Sequence, residues 1–136
     1  MAANTNFAVA VHALSVLAYL DDLVTSDLIA QSINTNPVVV RRVLRHLVRE
    51  ELVRSVAGKN GGFSLARPAA EIHLTEVLRA VDGGSVFRIH DNEANPICSV
   101  SCGIKSVLGE VLTKVDAAVD RELSKTTLAD VVAAVA

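Results

Sequence analysis

Four arginines and a histidine lie close together near the middle of the chain, and such side chains bind phosphate groups and base edges. Guanidinium groups form paired hydrogen bonds with phosphate oxygens and with the edge of guanine. At about 100° per residue, a helix over this segment separates basic from apolar positions. The basic side holds Arg41, Arg42, Arg45, His46 and Arg49, and the apolar side holds Val40, Val43, Leu44, Leu47 and Val48. The pattern predicts an amphipathic helix that fits a major groove, although a solvated surface helix would show the same pattern.

Positive charge is concentrated around this helix. The segment from Pro37 to Arg67 holds seven basic and two acidic residues, a net charge of +5, whereas the rest of the chain holds six basic and thirteen acidic residues, a net charge of −7. Such a local excess is typical of a nucleic-acid contact on an otherwise acidic protein. Aromatic residues make up only 3% of the chain, which disfavours recognition of single strands by base stacking.

The chain has two cysteines, Cys98 and Cys102, four positions apart. If a helix begins just after Cys98, both thiols lie near its positive end, where a thiol is more reactive and could serve as a redox switch. The alternative is a pair of small buried residues that only pack. Nearby His90, Asp91 and Glu93 match no strong metal-binding spacing, so we expect no bound metal and no cofactor.

The basic helix is preceded by the pattern of a helix-turn-helix. The apolar run Phe7–Leu20 predicts a first helix buried on several sides, with His12 as a hydrogen-bonded core histidine. Ser26 is expected to cap a second helix. Asn36 caps the basic third helix, and Pro37 occupies its first position, where a missing N–H has no cost. Two helices joined by a short turn, the second one basic, predict a helix-turn-helix.

A hairpin follows directly. Residues Leu52–Ala57 alternate as a strand, Gly58–Gly62 form a glycine-rich turn, and a return strand begins at Phe63. This is the arrangement of a winged helix, with Lys59 and Asn60 at the tip of the wing. A flexible hairpin without a role would also contain such a turn, but the order of the elements favours a wing.

The chain after the hairpin is predicted to hold three more helices. They are Thr75–Asp82, Ile104–Leu123 and Leu128–Val135, with an irregular segment from Val86 to Cys102. Apolar residues recur at alternating spacings of four and three along the longest helix, at Ile104, Leu108, Val111, Val115 and Ala118. This seam predicts a dimerisation helix, or else a helix that folds back on its own winged helix.

Several segments resemble the Rrf-two family of bacterial winged-helix transcription regulators. They are N-F-A-V-A-V-H-A-L, L-I-A-Q-S-I-N-T-N-P-V-V-V-R-R-V-L, G-K-N-G-G-F-S-L-A, I-H-L-T-E-V-L-R-A-V-D-G and T-T-L-A-D-V-V. The I-N-T-N-P-V-V-V-R-R form resembles the branch without an iron–sulfur cluster. The resemblance implies a homodimer on an inverted-repeat operator. The helix Pro37–Arg49 would lie in the major groove, the turn Gly58–Phe63 in the minor groove, and the long C-terminal helix at the dimer interface. Family members that bind a cluster have three cysteines before that helix, and this chain has two.

Together these features predict a mainly α fold with a small β-hairpin wing, a winged helix-turn-helix followed by a C-terminal dimerisation helix. The expected division is residues 1–84 for DNA binding, 85–103 for the loop with the cysteine pair, and 104–136 for dimerisation. The candidate DNA-binding residues are Thr35, Asn36, Arg41, Arg42, Arg45, His46, Arg49, Lys59 and Asn60.

The expected function is that of a homodimeric, sequence-specific DNA-binding regulator, a repressor, that responds to thiol redox state. The alternative is a winged-helix module whose basic face binds an acidic protein. No constellation of catalytic residues indicates an enzyme. The longest apolar run, Phe7–Leu20, is too short to span a membrane, so we expect a cytoplasmic protein without a membrane partner.

Overall fold

The computed structural model describes residues 5–136. Over that range the chain forms six α-helices, a short 3-10 turn and one two-stranded antiparallel sheet. The elements are α1 (Asn6–Leu20), α2 (Ser26–Ile33), α3 (Pro37–Arg49), β1 (Val53–Val56), β2 (Gly62–Leu65), the 3-10 turn (Ala69–Glu71), α4 (Leu74–Asp82), α5 (Ser99–Leu123) and α6 (Leu128–Val135). The mainly helical architecture with a hairpin is as the sequence predicts.

Helix α1 lies at the centre of the core and is buried or half-buried around most of its circumference. Its buried residues, Ala10, Ala13, Leu14 and Leu17, recur at helical spacing and pack with the apolar side of α3. The prediction of burial on several sides is confirmed, because partly buried Val9, Val16 and Ala18 also pack against the core and α1 contacts α2, α4, α6 and β2 as well. One side of α1 stays open: Tyr19 is 66% exposed there, and this side lines an apolar groove of about 1080 Å³ together with α2 and α6.

His12 lies on this open side of α1 and is exposed. Its Nε2 atom is 3.0 Å from Ser32 Oγ. The predicted hydrogen bond exists, but the prediction of a core position is wrong, since an apolar stretch of sequence does not show which side of its helix faces the core.

Local hydrogen bonds determine where the second and third helices begin. The Thr25 hydroxyl accepts a hydrogen bond from the Leu28 N–H at 3.2 Å, so Thr25 caps α2 and not Ser26. The side-chain oxygen of Asn36 accepts a hydrogen bond from the Val38 N–H at 2.9 Å, and Pro37 follows as the first residue of α3. The predicted cap of the basic helix is confirmed.

The hairpin is fixed to the helix-turn-helix by backbone hydrogen bonds. Val24, just before α2, exchanges N–H···O bonds of 2.9 and 2.8 Å with Phe63 of β2. At the tip, the Gly61 N–H donates to Gly58 O at 3.1 Å. A Cβ atom on Gly61 would lie 2.0 Å from Val56 O, so only glycine fits this turn. The base of the wing is therefore rigidly placed relative to α2 and α3.

The C-terminal elements differ from the prediction in one respect. Helix α5 begins at Ser99, so the prediction of irregular chain up to Cys102 is wrong in its last four residues. The last helix, α6, returns to the winged helix, where Leu128 is fully buried and its N–H donates to Ile72 O at 2.8 Å. No helix within residues 5–136 is long and apolar enough to cross a membrane.

Candidate nucleic-acid interface

Helix α3 presents one apolar and one cationic side. Val40, Val43, Leu44 and Leu47 are buried and hold the helix against α1, α2 and α4. The opposite side is exposed and carries all four predicted arginines, Arg41, Arg42, Arg45 and Arg49. The burial of one side in the core therefore fixes the direction in which the guanidinium groups point.

The four arginines differ in their partners. Within residues 5–136, neither Arg42 nor Arg45 makes a hydrogen bond or an ion pair. Arg41 lies 3.9 Å from Asp27 Oδ1, a distant and solvent-exposed pair that stabilises the fold little. Arg49 donates a hydrogen bond to His46 Nδ1 at 2.7 Å. Arg42 and Arg45 can therefore each bind an anion without losing an internal partner. Arg41 can do so after giving up its weak contact with Asp27.

The start of α3 offers fewer polar contacts than the sequence predicts. Thr35 is half-buried, and its N–H donates to Ala30 O at 3.0 Å. The side-chain oxygen of Asn36 is occupied by its capping bond to Val38. Val38 itself is 59% exposed on the first turn, three and four residues before Arg41 and Arg42. Sequence reasoning missed Val38, although helical spacing places it on the cationic side, where an apolar group can contact a thymine methyl.

The wing tip carries a second cation. Lys59 and Asn60 are exposed in the turn between β1 and β2, and Lys59 makes no ion pair in the described part of the chain. The turn is narrow because glycines occupy both of its ends. An exposed lysine on a narrow glycine-rich turn suits close approach to a phosphate or entry into a narrow groove.

An ion pair connects the segment after β2 to helix α4. Arg67, two residues after β2, donates to Glu76 Oε1 at 2.9 Å, and the His73 N–H donates to Glu76 Oε2 at 2.9 Å. Burial alone would raise the pKa of Glu76, but these hydrogen bonds outweigh it and hold the pKa below its ordinary value near 4.5. Glu76 therefore links the base of the wing to the start of α4.

Helix α5 stands apart from the core. It spans 25 residues, and none of its side chains is buried in the single chain. Within the predicted seam, Ile104, Leu108 and Val115 are half-buried, Ala118 is exposed, and Val111 is 48% exposed. Val100 and Val107, which the prediction omitted, are 71% and 58% exposed. Both lie within the same apolar stripe at helical spacing, so the sequence carried the signal for them.

Comparison with known proteins identifies the family. Residues 3–134 match the model of the Rrf2 family, the Rrf-two family named above, which is described as an iron-dependent transcriptional regulator. The chain belongs to the Rrf2 family. Members of this family are DNA-binding transcription regulators and not enzymes, so this Rrf2 chain is a DNA-binding transcription regulator.

Individual relatives agree with this assignment. YwnA of Bacillus subtilis strain 168, a candidate HTH-type transcriptional regulator, is 41% identical over 129 residues, which cover 94% of this chain and 95% of YwnA. A crystal structure described as that of a candidate DNA-binding protein has a TM-score of 0.74 and 38% identity, covering 93% of this chain and 97% of that chain. CymR, the global cysteine regulator of B. subtilis, has a TM-score of 0.71 at 20% identity, covering 100% and 99% of the two chains, and shows the shared fold alone. The winged-helix fold is confirmed.

The cysteines of this Rrf2 chain lie at the start of α5. The Cys98 sulfur caps the helix by accepting from the Ser101 N–H at 3.5 Å, and the Cys102 thiol donates to Asn95 O at 3.5 Å. Cys98 is half-buried and Cys102 is exposed, so neither is fully buried in the single chain, and the choice between a redox switch and packing residues stays open.

The donor set near these thiols does not suit the iron of the family description. Two thiols are half of the four ligands that an iron–sulfur cluster takes. Among residues 5–136, no three or more histidine, cysteine or acidic side chains lie close enough together to hold a metal ion. The two thiols therefore do not form a metal site with the other side chains of residues 5–136.

Proposed function

We propose that the protein is a homodimeric repressor that binds an inverted-repeat operator. In each half-site the cationic side of α3 lies in the major groove and the wing lies against the minor groove. The observation that carries the proposal is the pair of unpartnered guanidinium groups of Arg42 and Arg45, held on the exposed side of a helix whose other side is buried. Because these two guanidinium groups have no partner within residues 5–136, no internal ion pair has to be broken when they bind DNA, and the free energy of their contacts with DNA is not reduced by such a loss.

The side chains of this surface have two kinds of role. Arg42 and Arg45 read bases, since bidentate contact of arginine with guanine is the commonest specific contact in the major groove. Val38 contacts a thymine methyl, and Thr35 and Asn36 lie beside the same base pairs. Arg41, His46 and Arg49 bind phosphates and fix the register on the duplex. Lys59 and Asn60 contact the minor groove or its phosphates.

The dimer forms through α5. A helix with exposed valines and no buried side chain leaves apolar surface in water, and a second copy of the same helix would cover it. We therefore propose that residues 1–84 bind DNA, that residues 85–103 form the loop with the cysteine pair, and that residues 104–136 form the dimer. Within the last segment, α6 also contributes Leu128 to the core of the winged helix. The repressor role is carried over from the family resemblance.

The thiols of Cys98 and Cys102 are proposed as the site that receives the signal. Cys98 is the cap residue immediately before the proposed dimer helix, and Cys102 lies in the first turn of that helix, where it is accessible to a small oxidant. Oxidation to a sulfenic acid or a disulfide would replace the capping contact of Cys98 and change the start of the helix. A changed helix start would alter how the two winged helices are presented to DNA.

Selection of duplexes from a random pool tests this function. The recovered duplexes should share an inverted repeat whose half-site centres lie about 10–10.5 base pairs apart or a multiple of that distance. Sedimentation should give two chains per duplex, and a reporter gene behind the selected operator should be expressed less when the protein is present. A pool without enrichment would contradict operator binding, a single half-site bound by one chain would contradict the dimer, and raised expression would contradict repression.

A further inference from the structure

Two carboxylates on α5 accept hydrogen bonds from earlier parts of the chain, one from the winged helix and one from the loop that follows it. Thr75 Oγ1 and Arg79 Nη2, both on α4, donate hydrogen bonds of 2.5 Å to the same oxygen of Asp120. About one turn earlier, Asp116 Oδ2 accepts a hydrogen bond of 2.9 Å from Ser85 Oγ. The apolar side chains of α5 are at most half-buried, so these polar contacts add a directional restraint to a loosely packed contact with α4.

The partners of Asp120 are themselves fixed. Thr75 is 7% exposed and is the one polar residue in the buried class between residues 5 and 136. Its position in the first turn of α4 is set by buried Val77 and Leu78 on the same helix. The hydrogen bond from Thr75 and the nearby charge of Arg79 hold the pKa of Asp120 below its usual value, so the carboxylate stays charged at neutral pH.

The carboxylates and the apolar stripe lie on opposite sides of α5. Asp120 is nine residues after Val111, which at about 100° per residue places it about 180° around the helix. One side of α5 is thus bonded to its own winged helix, and the opposite side is available to a partner. The direction of α5 relative to α4 therefore determines where each winged helix lies in a dimer.

We propose that Asp120 is a positioning residue that, with Thr75 and Arg79, sets the angle between α5 and the winged helix and thereby the half-site spacing the dimer accepts. The claim about half-site spacing rests on the dimer proposed above as part of the function. The claim about the angle between α5 and the winged helix concerns a single chain and does not depend on the dimer. Asp120 and Thr75 have no assigned contact with DNA, so their substitution should change the selection of spacing and not the reading of a half-site.

Matched substitutions separate this role from general damage. Thr75→Val removes the hydroxyl at nearly constant shape, and Thr75→Ser keeps it, so the serine variant should rescue every effect of the valine variant. Asp120→Ala removes the acceptor. Glu122→Gln is the control, because it also neutralises one carboxylate of α5 but one whose contact is with Lys125 of the following turn.

The angle is measured as a distance distribution within one chain. Spin labels are placed at exposed positions 70 and 110 in a Cys98→Ser/Cys102→Ser background, and labelled protein is diluted with unlabelled protein so that only distances within a chain are seen. The unsubstituted background and the Thr75→Ser and Glu122→Gln variants should give one narrow distribution. Thr75→Val and Asp120→Ala should give a broader or shifted one. An unchanged distribution in Asp120→Ala overturns the proposal.

The consequence for DNA is measured with the operator selected above and with versions whose spacer is one or two base pairs longer or shorter. The ratio of affinities between the selected and altered spacers should fall by about three- to tenfold in Thr75→Val, the range expected for one lost hydrogen bond, and should be restored in Thr75→Ser. In Asp120→Ala, which loses the hydrogen bonds from both Thr75 and Arg79, the ratio should fall at least as far. Affinity for an isolated half-site should stay unchanged. An unaltered ratio alongside a broadened distance distribution overturns the link to spacing. A wild-type protein that is monomeric or indifferent to spacing overturns the dimeric function instead, while the distance measurement still decides the angle.

Discussion

Substitution of Val111 by aspartate should separate the proposed dimer into single chains. Val111 is 48% exposed in the single chain, so a partner can still cover about half of its side chain. Full burial of a valine stabilises by about 1.5–3 kcal/mol, and covering the remaining half in two chains therefore contributes about 1.5–3 kcal/mol per dimer. The aspartate loses this contribution and adds two carboxylates, each costing several kcal/mol in an apolar contact. The dissociation constant of the dimer should rise by more than about a thousandfold.

Sedimentation velocity over a range of concentrations measures this change. Val111→Asp should sediment as a single chain with an unchanged helical circular dichroism spectrum, because Val111 is not part of the core. Ser106→Asp adds the same charge at another exposed position of α5 and should remain a dimer. A well-folded Val111→Asp dimer would refute the assignment of the interface to the apolar stripe of α5.

Three further outcomes are expected. Lys59→Ala should weaken binding to all duplexes alike, as measured by affinity at several salt concentrations. The slope of the logarithm of the binding constant against the logarithm of salt concentration should become shallower by about two for a dimer, because one phosphate contact is lost in each half-site. Mild peroxide should release DNA from the wild type and not from Cys98→Ser/Cys102→Ser, and equal release from both proteins would leave the thiols without a signalling role. For Glu76, whose folded-state pKa is depressed, the contribution to stability is present above about pH 4.5 and is lost as pH falls through the folded pKa. The free energy of unfolding of the wild type should therefore exceed that of Glu76→Gln at neutral pH, and this difference should shrink in acid. A difference that stays constant from neutral pH into acid would contradict this role of Glu76.

The helix-turn-helix could be predicted because its signals are local. The cap at Asn36, the proline after it and the spacing of Val40, Val43 and Leu44 lie within a few residues of one another. Hydrophobic periodicity and capping act over such distances, so the direction of the basic side followed from sequence alone. The wing could be predicted for the same reason, because two segments of alternating apolar and polar residues joined by a glycine-rich turn are typical of a β-hairpin.

Three features could not be predicted from the sequence: the contact between α4 and α5, the start of α5 and the exposed side of α1. Each depends on contacts between residues far apart in the chain or on an unusual capping atom. Asp120 and Thr75 are 45 positions apart, and nothing near either residue indicates the hydrogen bond between them. For the start of α5 the sequence leaves two possibilities, one just after Cys98 and one after Cys102, because the capping atom is the sulfur of Cys98, a weak acceptor that is not a usual cap. The exposed position of His12 cannot be derived from the sequence, because the apolar residues that line the groove beside it, such as Tyr19, are of the same types as residues that pack in a core.

The central claim is that the cationic side of α3 recognises a specific duplex, and a titration of Arg42→Ala/Arg45→Ala against the selected operator tests it most directly. If each arginine reads a base in each half-site, each substitution should cost about 1–3 kcal/mol per half-site, so specific binding should fall to the level of binding to an unrelated duplex. Arg54→Ala, which removes a cation from β1 outside the proposed surface, serves as the matched control and should keep the preference for the operator. Unchanged operator affinity in the double variant would contradict the account.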